Sequence, residues 1–296
     1  MRRLVPLAAP LVAALLLLPV PARAWGFTAH KYIVSRAIDL LPAAIRPFFD
    51  EYRTTIVEHA IDPDTYRTVG WLAESPRHYV DMDAYGPFPF TALPHDYDAA
   101  VAKFGKDTIE KNGTLPWRLQ DMQDRLIEAF GQTSPYARDD IKLFSSVATH
   151  YLADAFQPLH ATLNHDGQLT GQRGIHARFE TELFERYQAR LHITPGPLVP
   201  VPNAREFAFA TLADSQQLVA PILAADRAAA AGRDEYDDQY FDALLARTQP
   251  LLEKRLGQAI TGVASLITAA WDAAGRPALP VDAPPRVPRK IRHDGR

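Results

Sequence analysis

Residues 137–156 read ARDDIKLFSSVATHYLADAF, the stretch in which apolar side chains return most regularly at three- and four-residue intervals. That interval is the repeat of a helix with a buried face. The same period runs through HKYIVSRAIDLL, residues 30–41, where Ile33, Val34, Ala37, Ile38 and Leu41 share one stripe. Working outward, helices are predicted over about 43–57 (broken at Pro47), 97–111, 117–130, 175–191, 204–230, 235–247 and 250–274. Asp62-Pro63-Asp64 is expected to stop a helix, because proline cannot continue one. Residues 74–94 hold Pro76, Gly86, Pro87, Pro89 and Pro94 and read as loop; residues 159–174, with Gly167, Gly171 and Gly174, read as irregular. ITPGPLVPVPN, residues 193–203, is a proline-rich connector. No segment alternates like a strand over more than a few residues. The expected fold is all-α, one multi-helix domain spanning 25–275.

Composition narrows the function. The chain has 296 residues, 47% hydrophobic and 23% charged, enough apolar material for a large core, which excludes disorder and collagen-like fibre. With 32 Lys and Arg against 35 Asp and Glu the net charge is −3, far from the balance of a duplex-DNA binder, so any nucleic-acid contact is local. There are no cysteines, which removes disulfides, thiolate zinc sites and cysteine nucleophiles. A metal here would be held by histidine and carboxylate.

The first 24 residues, MRRLVPLAAPLVAALLLLPVPARA, pair two arginines with an apolar run and end in Ala22-Arg23-Ala24. This three-part pattern is that of a secretory signal peptide cleaved after Ala24, exposing Trp25 as the new amino terminus. Pro6, Pro10 and Pro19 break the run below the roughly 20 residues a spanning helix needs. The expected location is secreted or periplasmic, with no permanent membrane anchor. Residues 276–296 form a proline-rich basic tail with little to bury and are expected to be disordered.

Five residues in two short segments carry the chemistry. His150, Asp154 and His160 lie in HYLADAFQPLHA, and His176 and Glu180 in HARFE. Both His150/Asp154 and His176/Glu180 are four apart, one helical turn, so each pair points to one side. A single such pair reads ordinarily as a surface ion pair. Two pairs, with His160 just past Pro158 and set among Val147, Leu152, Ala153, Phe156 and Leu159, are expected to be buried, and buried charge demands a partner. An imidazole nitrogen and a carboxylate oxygen at this spacing can meet one cation at about 2.0–2.2 Å. Asp64 in the Asp-Pro-Asp turn, His78 after Pro76, His30 at a helix start and the α-amine of Trp25 complete the set. Asp62 competes with Asp64, and the residue after the proline is preferred.

These segments resemble the superfamily of zinc-dependent phospholipases C and single-strand-specific zinc nucleases, all-helical enzymes with three zinc ions. The likeness rests on Trp25, HKYIVSRAID, HYLADAFQPLHA, HARFE and the closing AAWDAAGR, and runs from Trp25 to about Gly275. It implies that Asp64, His78 and His150 hold one zinc, with Asp154 bridging to a second shared with Trp25 (amine and carbonyl) and His30. It implies that His160, His176 and Glu180 hold the third. Three divalent ions against three carboxylates leave about three surplus positive charges, a pocket suited to a phosphodiester attacked by metal-activated water. Asp64, besides ligating, is the candidate catalytic residue, orienting that water or taking its proton.

The two branches differ in what this chain mixes. Glu180 and the carboxy-terminal helix look like the phospholipase branch, as does the absence of cysteine, since the nucleases are usually disulfide-bonded. The short interval from Trp25 to His30 looks like the nuclease branch, and WGFTAH lacks the acidic residue that phospholipases offer to choline. The expected activity is phospholipase C-like. The alternatives are a single-strand nuclease or 3′-nucleotidase and a non-catalytic zinc-binding protein. Expected partners are phospholipid or single-stranded nucleic acid, with transient membrane-surface contact, and the protein is expected to be a monomer. Tyr66, Trp71, Tyr79, Tyr85, Phe88 and Phe90 are candidates to stack on a base or cage a quaternary ammonium. GPFPFTAL, 86–93, is a candidate apolar rim. His59 is a candidate support near the turn, and Asp81 and Asp83 are further supporting carboxylates.

Overall fold

A computed structural model of the chain describes residues 25–279. The predicted signal segment and residues 280–296 of the predicted tail lie outside the described residues. Among these the fold is all-α, with no strand. Its axis is α8, Ala137–Ala155, buried on nearly every side from Ser145 onward. Asp139 and Asp140 sit in its first turn, where the helix dipole favours acid. Around it pack α1 (Phe27–Ile38), α3 (Arg53–His59), α7 (Leu115–Gly131), α11 (Ala204–Gln216) and α13 (Asp238–Ala273). α12, Val219–Ala230, lies on the far side against α13.

Several boundaries depart from the sequence reading, each for a local reason. Pro47 and Pro63 open helices instead of breaking them: each occupies the first turn, where the missing N–H costs nothing, of α2 (Arg46–Glu51) and α4 (Asp62–Thr68). The predicted helix 97–111 divides at Gly105, whose φ of +83° suits glycine, into α5 (Tyr97–Phe104) and α6 (Lys106–Lys111). Residues 204–230 divide between α11 and α12 at Gln217 and Leu218. By contrast α13 runs on through Pro250 where two helices were expected. Proline removes one ladder bond there, and burial of Leu244, Leu245, Leu252 and Leu256 on either side, each worth about 1.5–3 kcal/mol, outweighs it.

The expected loop 74–94 contains two 3₁₀ turns, Leu72–His78 and Met82–Tyr85, and the irregular 159–174 opens with another, Pro158–Ala161. The predicted helix 175–191 is composite: α9 (Ile175–Ala177), a π-helical turn (Arg178–Glu182), α10 (Leu183–Tyr187) and a 3₁₀ turn (Gln188–Arg190). Residues 276–279, assigned to the tail from sequence, fold back. Trp271 Nε1 donates to the Pro277 carbonyl at 2.9 Å, and Leu279 packs on the core. No helix is long and apolar enough to cross a membrane among the described residues.

Candidate metal centre

α8 brings His150 and Asp154 to the centre of the molecule, with His150 Nε2 3.3 Å from Asp154 Oδ2. His150 Nδ1 donates to the Ala60 carbonyl at 2.8 Å, which leaves the Nε2 lone pair facing inward. α1 delivers His30, whose Nε2 lies 3.2 Å from Asp154 Oδ1 and whose ring stacks on His150 at 4.0 Å. The 3₁₀ turn Leu72–His78 delivers His78, with Nδ1 2.9 Å from Asp154 Oδ2 and 3.8 Å from Asp64 Oδ1. Asp64 is fully buried at the start of α4 and accepts from Arg67 Nη2 at 2.9 Å. Asp62 points the other way, pairing with exposed His59. His59 therefore does not support the cluster.

A second group stands alongside. His160 Nδ1 donates to the His78 carbonyl at 2.7 Å, so its Nε2 carries a lone pair, and that atom lies 3.1 Å from His176 Nε2. His176 Nε2 is 2.9 Å from Glu180 Oε2, across the junction of α9 and the π-helical turn. Gln157 orients Glu180 by donating to the same oxygen at 2.8 Å. Trp25 is fully buried, and its indole donates to the Ala153 carbonyl at 3.0 Å, placing residue 25 beside Asp154. The next residue must be glycine, since a Cβ on Gly26 would lie 2.7 Å from Thr181 Oγ1.

Three sets of ligand atoms lie within 4.8 Å of one another and could hold a metal ion: His30, Asp64 and His150; His78, His150 and Asp154; His160, His176 and Glu180. All eight side chains that the sequence proposed as donors are thus gathered, though His30 is grouped with Asp64 and His150 as well as facing Asp154. The donor chemistry fits a cation. His30 Nε2, Asp64 Oδ2, Asp154 Oδ1 and Glu180 Oε1 are buried with no hydrogen-bond partner, a costly state unless something positive satisfies them. The spacing fits as well: about 3.3 Å is the edge of a tetrahedron with 2.0–2.1 Å metal bonds, close to the 3.1 Å between His160 Nε2 and His176 Nε2.

Electrostatics point the same way. Burial pushes His160 down to about 3 and His176 down to about 4, so both imidazoles are neutral, the ligating form. Burial would raise the Asp154 carboxyl, but His150 beside it outweighs that and holds it well below the usual range. Burial pushes the Glu180 carboxyl well up.

A cleft of about 610 Å³ reaches the cluster at His78, His160 and His176 and is also lined by Arg67, Leu72, Tyr79, Asp81, Lys111 and Leu163. Of the candidate aromatics Tyr79 lines it. Tyr85 and Phe90 are core, and Trp71 lies in contact with Tyr66 at its margin. The proposed rim 86–93 takes no part in the cleft lining: Phe90 and Leu93 are buried, and of its large apolar side chains Phe88 alone is exposed. Asp83 pins the chain after His160 by accepting from Thr162 Oγ1 and the Leu163 N–H at 2.7 and 2.8 Å. Sequence reasoning missed Arg67, Gln157 and Glu74. Glu74 is fully buried, accepts from Tyr151 Oη and from Arg77, and lies 3.8 Å from His78 Nε2. Its sequence signal was the four-residue spacing to His78.

A family model described as zinc dependent phospholipase C matches residues 29–225. The chain belongs to that family. Its zinc dependence and phosphodiester hydrolysis of the phospholipase C type follow from that membership, and the gathered donors supply groups that could hold the metal. No curated protein matches the chain.

Proposed function

We propose that the protein is an exported enzyme that hydrolyses the phosphodiester of a phospholipid, using three zinc ions. Asp64, His78, His150 and Asp154 would hold one, Trp25, His30 and Asp154 a second, and His160, His176 and Glu180 a third. The observation that carries this reading is the convergence of buried, unpartnered carboxylate and imidazole atoms directly behind a cleft that His78, His160 and His176 line, inside a chain of the zinc-dependent phospholipase C family. The amino-terminal pattern of residues 1–24 supports export.

Bound zinc supplies a water of lowered pKa and neutralises charge developing on the phosphoryl oxygens. The chain's own groups set the geometry. Arg67 fixes Asp64 through Oδ1 and leaves Oδ2 unpartnered, so Oδ2 is the atom that would face the zinc and its water, to orient that water or take its proton. The Ala60 and His78 carbonyls hold His150 and His160 in single tautomers, and Gln157 fixes Glu180, so the site needs little rearrangement during reaction.

A second reading, a single-strand nuclease or 3′-nucleotidase, draws support from Arg67, Lys111 and the Tyr79 ring on the cleft wall, which suit a polyanion with stacked bases. Assays on phosphatidylcholine micelles and on denatured DNA, with zinc measured by elemental analysis, separate the two. Zinc-dependent cleavage of the lipid is the expected result. Zinc bound with neither substrate cleaved would leave the non-catalytic reading.

A further inference from the structure

Large apolar side chains gather at the mouth of the cleft in two short loops. In the first, residues 69–72, Val69 is 77% and Leu72 80% exposed, with Trp71 half out between them. In the second, residues 163–169, Leu169 is 69% exposed and Leu163 also faces solvent. Leu72 and Leu163 both line the cleft, so the loops stand on its border. Five of the eleven exposed large hydrophobics among the described residues lie in these loops, a density that marks an interaction surface.

The exposure is built into the backbone. Val69 N–H donates to the Thr65 carbonyl and Trp71 N–H to the Tyr66 carbonyl, both at 3.1 Å, through Gly70 at a φ of +94°. Trp71 carries the Arg77 guanidinium 5.6 Å from its ring centroid. In the second loop Asn164 Oδ1 accepts from the Leu169 N–H at 2.7 Å, and Asp83 accepts from the Leu163 N–H. Polar groups thus face into each loop while the apolar ones face out.

We propose that these two loops form a collar that seats the cleft mouth on a phospholipid surface, a proposal that rests on the phospholipid reading above. A protein docked on the collar would cover the cleft entrance. A lipid surface instead presents its phosphodiesters to that entrance. Tryptophan beside arginine is the pairing expected at the headgroup level, with leucine and valine reaching the acyl boundary. Arg67 and Lys111 on the cleft wall complement the lipid phosphate.

The test uses the zinc-loaded protein and the double variant Val69→Ser/Leu169→Ser, neither position lining the cleft. Binding to vesicles of phosphatidylcholine and phosphatidylglycerol is measured by sedimentation, alongside turnover of vesicle lipid and of monomeric dihexanoyl phosphatidylcholine below its micelle concentration. The variant is expected to bind vesicles at least about tenfold more weakly and to lose vesicle turnover in proportion, with monomer turnover unchanged. Brominated lipid is expected to quench wild-type fluorescence, and the quenching is expected to disappear in Trp71→Phe. Vesicle binding equal in wild type and double variant, or no quenching by brominated lipid, overturns the collar. Absence of any phosphodiester turnover in the wild type would sink the phospholipid reading, while the binding comparison would still decide the collar.

Discussion

His78 Nδ1 stands 2.9 Å from Oδ2 of Asp154, across 76 residues of chain. The same carboxylate lies 3.2 Å from His30, 3.3 Å from His150 and 3.7 Å from His160. One acid thus gathers four imidazoles.

Asp154→Asn keeps the shape and removes the charge that those imidazoles and any shared cation need. Activity is expected to fall on the order of a thousandfold or more, with at least one zinc lost per chain. Turnover and elemental analysis check it, and a variant with full zinc content and full turnover would contradict the shared role.

Glu74 stands behind His78, its carboxylate held by Tyr151 and Arg77. Its carboxylate lies 3.8 Å from His78 Nε2, which has no hydrogen-bond partner; a carboxylate that closes onto that nitrogen orients the ligating imidazole, and loss of such a group costs about 10- to 100-fold in metal affinity. Glu74→Gln is expected to weaken zinc binding by that range in a competition titration with a chromophoric chelator. Unchanged affinity would assign Glu74 to packing alone.

Zinc removal is expected to destabilise the fold, because buried acceptors then face one another unpaired. Zinc at a hundred times its Kd adds about 2.7 kcal/mol. For a chain of this size that is about 5–10 °C in Tm. Calorimetry with and without chelator measures the difference; coincident melting curves would show that the cluster tolerates vacancy.

Asp81 faces the cleft, and burial, with Asp83 adding its charge, pushes its carboxyl up from 3.8 to about 7. The folded state therefore binds this proton more tightly than the unfolded chain. The resulting stabilisation is complete below about pH 3.8 and is lost as pH rises toward 7, at a slope of up to about 1.4 kcal/mol per unit. Asp81→Asn in zinc-free protein is expected to flatten the stability profile in that window. Denaturant unfolding at pH 4.5 and 7 reads it, and equal slopes in variant and wild type would refute the assignment.

An extra residue before Trp25 would replace its α-amine with a peptide bond while leaving the indole bonded to Ala153. One zinc fewer per chain is expected, with little change in far-ultraviolet circular dichroism. Identical zinc content in both forms would remove Trp25 from the ligand set.

Local periodicity explains why some of this was legible in the sequence. His150 and Asp154 fall one turn apart in the most regular helix, and His176 and Glu180 repeat the spacing, so their pairing needed no knowledge of the fold. The choice between Asp64 and Asp62 depends on helix phase: once Pro63 opens α4, Asp64 turns inward and Asp62 outward. Reading Asp-Pro-Asp as a stop concealed that phase. Glu74 carried one local signal, its four-residue spacing to His78, but its burial against Tyr151, from a helix 77 residues away, is a meeting that no local pattern encodes. Pro250 misled because the burial that carries α13 through it is tertiary. The apolar rim was sought in 86–93, where cues of composition are strong. It is found in 69–72 and 163–169, where backbone turns hold apolar side chains out.

The π-helical turn at Arg178–Glu182 winds more loosely than the helices flanking it. Deleting one residue from it before Glu180 would restore the ordinary winding but leave that carboxylate three residues after His176 instead of four, about 100° further round the helix. Chain length in this turn is therefore under tighter constraint than the identity of half-buried Glu182. A series of single-residue deletions and insertions here should be far less tolerated than substitutions at Glu182.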